Sequence, residues 1–347
     1  MSQHIAGPAA LALASLSPSQ INFLQSLPKA ELHAHLNGSI PLSCLQELAA
    51  QHASGSQATE FQSDLIRDGI DKLQKGVDLV EIHDFFKLFP AIYALTSTPD
   101  ALAFATRAVL REFLDGENPQ CSYLEIRTTP RRNENMTRRQ YIEAVLAEVE
   151  KYDSDQAALI VSLDRRMGTE DAAECVDVAI DLRHQGRRVV GIDLCGDPMA
   201  GNMAEFETHF RRARESGLGI TLHIAETAAN SSVDTSQLLS FQPQRLGHAT
   251  FLDEAAKKVV SDKRICVEIC LTSNILCKTV PLLDDHHIVE LLKNGHPIAI
   301  CTDDILPFRN SLIGEYALLL AQPPLGLGVT EDKVQKLAEM SLQNRFK

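Results

Sequence analysis

No Cys-x-x-Cys pair occurs among the eight cysteines of this 347-residue sequence (Cys44, Cys121, Cys175, Cys195, Cys266, Cys270, Cys277 and Cys301). Several lie in apolar runs, so they read as buried, reduced thiols of a cytoplasmic chain rather than a disulfide frame. No apolar run approaches the roughly 20 residues of a membrane span, and no Lys or Arg precedes the Ala/Leu-rich residues 5–16. Secretion and membrane insertion are therefore not expected. Positive charge is also short, with 33 Lys+Arg against 46 Asp+Glu leaving a formal −13. Such a field does not attract nucleic acid or anionic membrane, and an anionic substrate would need local basic groups to override it. Neither G-x-G-x-x-G nor a P-loop is present, which removes the usual support for a doubly wound open sheet.

What is present is ordinary for a soluble globular protein. Hydrophobic residues make up 44% and charged residues 23%, and the length allows one large domain over residues 1–347. Residues 1–16 are small and apolar and are expected to be frayed. Ser17-Pro18 is a helix-start signal. The first strand is expected at 31–36, a helix at 41–51 and a loose surface loop at 53–63. Helical apolar spacing marks 77–95 (Leu79, Ile82, Phe85, Phe86, Phe89) and 99–115. Further short apolar runs follow at 123–127, 159–163, 189–194, 219–224, 245–250, 265–271 and 298–302, mostly separated by helical segments. Several are unbroken, as in strands buried on both faces. Eight such β/α units predict a TIM-type (β/α)8 barrel.

Polar residues gather at the carboxyl ends of these strands, where such barrels place their sites. His33 and His35 are two apart and share one face of the first strand, with Asn37 beyond them. His223 and Glu226 end the fifth strand, His248 the sixth, and Asp303-Asp304 the eighth. Three imidazoles and one carboxylate from three strands form an N/O set suited to zinc. Glu226, three residues past His223, stands where a general acid/base is needed. Singly, each has a plainer explanation: His248 as a core histidine, Asp304 as a helix cap, Glu226 as a solvated charge. Together, at strand ends, they predict a site.

His33-x-His35, Leu-His223-x-x-Glu226, Gly247-His248 and Thr302-Asp303-Asp304 resemble the adenosine/AMP deaminase family over about residues 27–316. His-Ala-His-Leu-Asn37-Gly-Ser, Arg127-Thr-Thr-Pro-Arg-Arg132, Val161-Ser-Leu-Asp164-Arg-Arg166, Asp193-Leu-Cys-Gly-Asp-Pro198 and Cys270-Leu-Thr-Ser-Asn274 are most similar to its adenosine deaminase-like branch, which acts on N6-methyl-AMP. The resemblance implies a metal-dependent hydrolase that converts an N6-substituted purine nucleotide to IMP. It implies one zinc per chain, held by His33, His35, His223 and Asp303. It also implies that Glu226 protonates purine N1 and that His248 orients or deprotonates the attacking water. Asp304 would meet N7 and the Gly196 N–H would meet N3. His35, Asn37, Tyr93, Thr128, Thr129, Pro130, Arg131 and Asp164 would line the nucleotide site. Asn37 stands where ordinary adenosine deaminases carry Asp, and a neutral amide tolerates a phosphate dianion that a carboxylate repels. Tyr93 departs from the branch, which can carry His there. The chain also stops early after Phe346-Lys347, so the last helices are expected to be short or missing and the barrel bottom incompletely closed. A small-molecule nucleotide is the expected partner and a monomer the expected state. The alternatives are the same chemistry on adenosine, or a metal-binding barrel without turnover. Low aromatic content without an aromatic–basic stripe, and the missing His-x-Glu…Pro-Cys-x-x-Cys pattern, argue against nucleic-acid editing.

Overall fold

The computed structural model describes residues 5–54, 60–75 and 86–347 of the chain. Its centre is one sheet of eight strands paired in chain order, each neighbour parallel. They are β1 (Ala30–His35), β2 (Tyr123–Thr128), β3 (Ala157–Asp164), β4 (Val189–Cys195), β5 (Gly219–Ile224), β6 (Arg245–His248), β7 (Cys266–Ile269) and β8 (Ile298–Ile300). The seam between β8 and β1 closes just past the end of β8. There the Asp303 N–H donates to the His33 carbonyl at 2.9 Å, and the His35 N–H donates to the Asp303 carbonyl at 3.0 Å. The buried Glu31 carboxylate ties the same seam, accepting the N–H groups of His33 (2.8 Å) and Thr302 (2.9 Å). The expected (β/α)8 barrel is the observed fold.

Local chemistry accounts for the elements. Every residue of β2, β4 and β5 is buried, as parallel strands covered by helices require. Ser17 with Gln20 and Thr137 with Gln140 form capping boxes that start the helices Pro18–Ser26 and Arg138–Val149. Leu102, Ala105, Val109 and Phe113 bury one face of the helix Pro99–Leu114. Among the described residues no helix is long and apolar enough to cross a membrane.

Three expectations need correction. Residues 1–16 are not wholly frayed: Gly7–Ser15 is a helix with Ala9 and Ala12 fully buried, because its small apolar side chains allow close packing. The loop expected over 53–63 is interrupted by helix, since one helix runs Leu42–Ser54 and another begins at Glu60 and ends at Lys75. Polar, Ala-rich composition marks an exposed helix as readily as a loop. Of the helical stretch 77–95, residues 77–85 lie outside the described residues, and Phe89–Leu95 is a helix.

The third correction concerns the barrel bottom, which the last residues close. The helix Glu331–Gln343 packs beneath β1 and β8, and the Ala30 N–H donates to Ser341 Oγ at 3.1 Å. Phe346 then fills space left by two glycines. A Cβ on Gly191 would lie 2.7 Å from its ring, and one on Gly219 2.4 Å. The Arg245 guanidinium stacks on the same ring, 3.7 Å from its centroid. Truncating a buried aromatic plug typically costs about 3–5 kcal/mol. Phe346→Ala should therefore lower the unfolding free energy by that order in chemical denaturation; an unchanged midpoint would show that the ring contributes no core.

Candidate active site

The carboxyl ends of the strands converge on one open cavity, the place where such barrels carry their sites. At its floor stand His35, His223 and Asp303, with the fully buried His33 packed against them. His35 Nε2 and His223 Nε2 are 3.1 Å apart, and Asp303 Oδ1 lies 3.6 Å from His33 Nε2 and 3.5 Å from His35 Nε2. Ligands about 2.0–2.1 Å from a tetrahedral metal ion are roughly 3.3 Å from one another, so these three separations suit ligands of one ion.

Protonation supports the same fit. The His33 Nδ1–H donates to Glu268 Oε2 at 2.6 Å, and the His223 Nδ1–H to Asp193 Oδ1 and the Leu194 carbonyl, both at 3.0 Å. That fixes both tautomers and leaves the Nε2 lone pairs facing inward. His33 Nε2 is fully buried without a hydrogen-bond partner, which is costly unless a cation takes its lone pair. Burial pushes the His35 imidazole down to about 3, which keeps it neutral, whereas at His223 the Asp193 carboxylate outweighs burial and holds the ring above its usual value. His33, His223 and His248 form one group able to hold a metal; His35, Asp303 and Asp304 form a second, and His33, Cys270 and Asp303 a third. Burial holds the Cys270 thiol well up, so it is the poorer donor.

Above the floor, His248 Nε2 lies 3.9 Å from Asp303 Oδ2 and 3.7 Å from Glu226 Oε1. Ala225, His248, Ala249 and Asp303 all have positive φ, at 48°, 60°, 51° and 64°. For non-glycine residues this conformation costs about 1–3 kcal/mol and gathers at functional sites. Ser273 donates to Asp303 Oδ2 at 2.7 Å. The neighbouring carboxyls are driven apart. Burial opposes ionisation of Asp303, yet His248, His33 and His35 hold it well below the usual range. Burial and the adjacent Asp303 push Asp304 well above it. Asp304 Oδ1 is buried without a partner, and a Cβ on Gly38 would fall 1.4 Å from it. Only glycine fits at 38.

The remaining wall carries His35, Asn37, Tyr93, Thr128, Thr129, Asp164 and Gly196. Gly196 has φ +96°, and a Cβ there would meet the Asp164 carboxylate at 2.8 Å. Asn37 Nδ2 donates to Tyr141 Oη (3.2 Å) and Thr128 Oγ1 (3.4 Å), whose hydroxyls are 2.7 Å apart. Pro130 and Arg131 do not line the cavity. The Arg131 guanidinium lies behind Tyr93, 3.9 Å from its ring centroid, and donates to Thr96 Oγ1 at 2.8 Å. Arg166 does reach the wall, paired with Asp164 at 2.5 Å.

Sequence reasoning missed Glu31, Tyr141, Arg166, Glu268 and Cys277. The signal for Glu268 was an acid inside the apolar run Ile265-Cys-Val-Glu-Ile-Cys-Leu271. A charge kept in a buried strand needs a partner.

The adenosine deaminase family model matches residues 28–346. The chain is 37% identical to the N6-mAMP deaminase of Arabidopsis thaliana over 353 residues, covering 94% of each. It is 35% identical to the N6-methyl-AMP deaminase of Homo sapiens, covering 87% of this chain and 84% of that one. The crystal structure of Arabidopsis ADAL complexed with IMP superposes with a TM-score of 0.82 at 35% identity, covering 94% of each chain. Strand order, strand-end site and sequence agree, and the chain belongs to the adenosine deaminase family.

Proposed function

We propose that this chain is a zinc-dependent hydrolase that converts N6-methyl-AMP to IMP and methylamine. The observation that carries the nucleotide preference is the uncharged pair Asn37 and Thr128 on the cavity wall, backed by the buried Tyr141. Relatives named for this substrate over nearly their whole length support it. A carboxylate in place of Asn37 would repel a phosphate dianion at close range. A neutral amide and hydroxyl there carry no such repulsion, with the Arg131 charge behind Tyr93 adding attraction. Eight free, buried cysteines fit a reducing compartment, and the cytosol is the proposed setting.

In this reading His33, His35, His223 and Asp303 hold the zinc. Bound there, zinc supplies Lewis-acid activation of the attacking water. His248 orients that water and accepts its proton. Glu226 donates a proton to purine N1, which makes C6 electrophilic. Asp304, held protonated, donates to N7, an acceptor that an ionised carboxylate would repel. The Gly196 N–H meets N3, and Asp164 faces the sugar. The proton gained at N1 and that taken from water leave the addition product neutral. The proton held by His248 then passes to the exocyclic nitrogen, the C–N bond breaks to release methylamine, and the C6 hydroxyl proton returns to Glu226 as the carbonyl of IMP forms.

Three outcomes follow. Purified protein should carry about one zinc per chain, lose activity to chelators and regain it with zinc; full activity in metal-free protein would sink the zinc assignment. Glu226→Gln should lower kcat by roughly 10²-fold or more while zinc stays bound. Loss of the metal with the carboxylate would make Glu226 a ligand. Finally, kcat/KM should be highest for N6-methyl-AMP among N6-methyl-AMP, AMP and adenosine. Asn37→Asp should depress the nucleotide value by roughly 10²-fold, the order expected for like charges a few ångströms apart at intermediate dielectric. The nucleoside N6-methyladenosine should change far less. Equal losses in both would show that Asn37 steadies the fold and does not read the phosphate.

A further inference from the structure

Purine geometry decides where an N6 substituent must go once the ring is placed. The exocyclic nitrogen lies on the ring edge between N1 and N7. With Glu226 at N1 and Asp304 at N7, the group standing between those carboxylates faces the substituent. Cys277 lines the cavity with Glu226, Asp303 and Asp304. It caps the short helix Leu271–Leu276. Ser273, one turn earlier, lies on the same helical face and is fixed by its 2.7 Å hydrogen bond to Asp303.

The wall at this point is rigid. The Cys277 N–H donates to the Ser273 carbonyl at 2.9 Å, and the Thr279 and Val280 N–H groups both donate to the Asn274 carbonyl at 3.1 Å. Burial pushes the Cys277 thiol well up, and the carboxylates of Asp303, Glu226 and Asp304 push it the same way. It is therefore a neutral thiol, a small apolar surface with no nucleophilic role. Phe308, also buried, lines the same cavity. Cys277 shares this cavity lining with the three carboxyls and presents a small apolar group there, so it suits a methyl group where a charged or larger residue would not.

We propose that Cys277 forms the end wall of a subsite for the N6 substituent, and that its size sets which N6-alkyl groups are accepted. This rests on the reading of function above. Selectivity of this kind is small per carbon: one methylene in an apolar pocket discriminates by roughly 10- to 200-fold. The test is kcat/KM for N6-methyl-, N6-ethyl- and N6-propyl-AMP with the zinc-loaded wild type, Cys277→Ala and Cys277→Leu. Zinc content and the unfolding transition are measured for each.

Cys277→Ala should raise the ethyl-to-methyl ratio by about tenfold or more. Cys277→Leu should lower the value for N6-methyl-AMP by about tenfold or more and that for the longer groups further still. If the leucine variant does not fold, the alanine ratio decides alone. Unchanged ratios among the three nucleotides in a zinc-loaded alanine variant would overturn the subsite while leaving the deaminase reading intact. No turnover of any N6-alkyl nucleotide by zinc-loaded wild type would overturn that reading and the subsite with it.

Discussion

The site depends on one buried carboxylate, Glu268. Its Oε2 takes the His33 Nδ1–H at 2.6 Å and Arg127 Nη2 at 2.8 Å; its Oε1 takes Arg245 Nε at 2.7 Å and the Thr221 hydroxyl at 2.9 Å. All four lone-pair directions are used. An unpaired ion at this depth would cost several kcal/mol, and burial alone would drive Glu268 upward. Arg127 and Arg245 outweigh it and hold the group below its usual value. A fixed anion under His33 leaves that ring one useful tautomer. Arg127 extends the same control to a second ring, because its Nη1 lies 3.4 Å from Asp193 Oδ1, the acceptor of the His223 Nδ1–H. One guanidinium in the barrel axis thus sets the orientation of two histidines.

The chain's last residues complete the lower end of this network. Arg245 reaches Glu125 Oε2 at 2.6 Å with one arm and the Asn344 carbonyl at 2.9 Å with another, while Phe346 covers its face. The Phe346 N–H donates to Glu125 Oε1 at 2.6 Å. These contacts exclude water from below, and low dielectric is what strengthens the ion pairs above. Closing the bottom and ordering the top are therefore parts of one electrostatic arrangement. The pieces at its two ends are more than 300 residues apart in sequence.

That distance explains what the sequence hid. The barrel was legible because each strand is a short apolar run between helices, and period alone betrays it. The rim was legible because His33, His35, Glu226 and Asp303 are polar groups at ends of such runs. The network beneath was not, since Glu125, Arg127, Arg245 and Glu268 look like interruptions until topology points them at one another. The tail was misread for the same reason. Phe346 has meaning only beside Gly191 and Gly219, and nothing local says that two glycines from different strands leave a ring-sized gap. Arg131 illustrates the converse. Its place in a Thr-Thr-Pro-Arg run brings it to the correct end of the barrel, but its stacking on Tyr93 depends on where the helix Phe89–Leu95 lies.

The adjacent pair Asp303-Asp304 condenses how the fold makes chemistry. Two neighbouring carboxyls resist ionising together, so a small bias decides which one keeps its proton. The bias here is backbone direction. Asp303 takes φ 64° as the chain crosses the β8–β1 seam. Its carboxylate faces His33, His35, His248 and the Ser273 hydroxyl, all of which favour the charged form. Asp304 then turns against Gly38, into a place with no donor for one of its oxygens. One residue becomes an anion fit to hold a cation, and the next a neutral acid fit to hold an acceptor nitrogen. The strained turn and the missing Cβ at 38 achieve this division with two identical side chains.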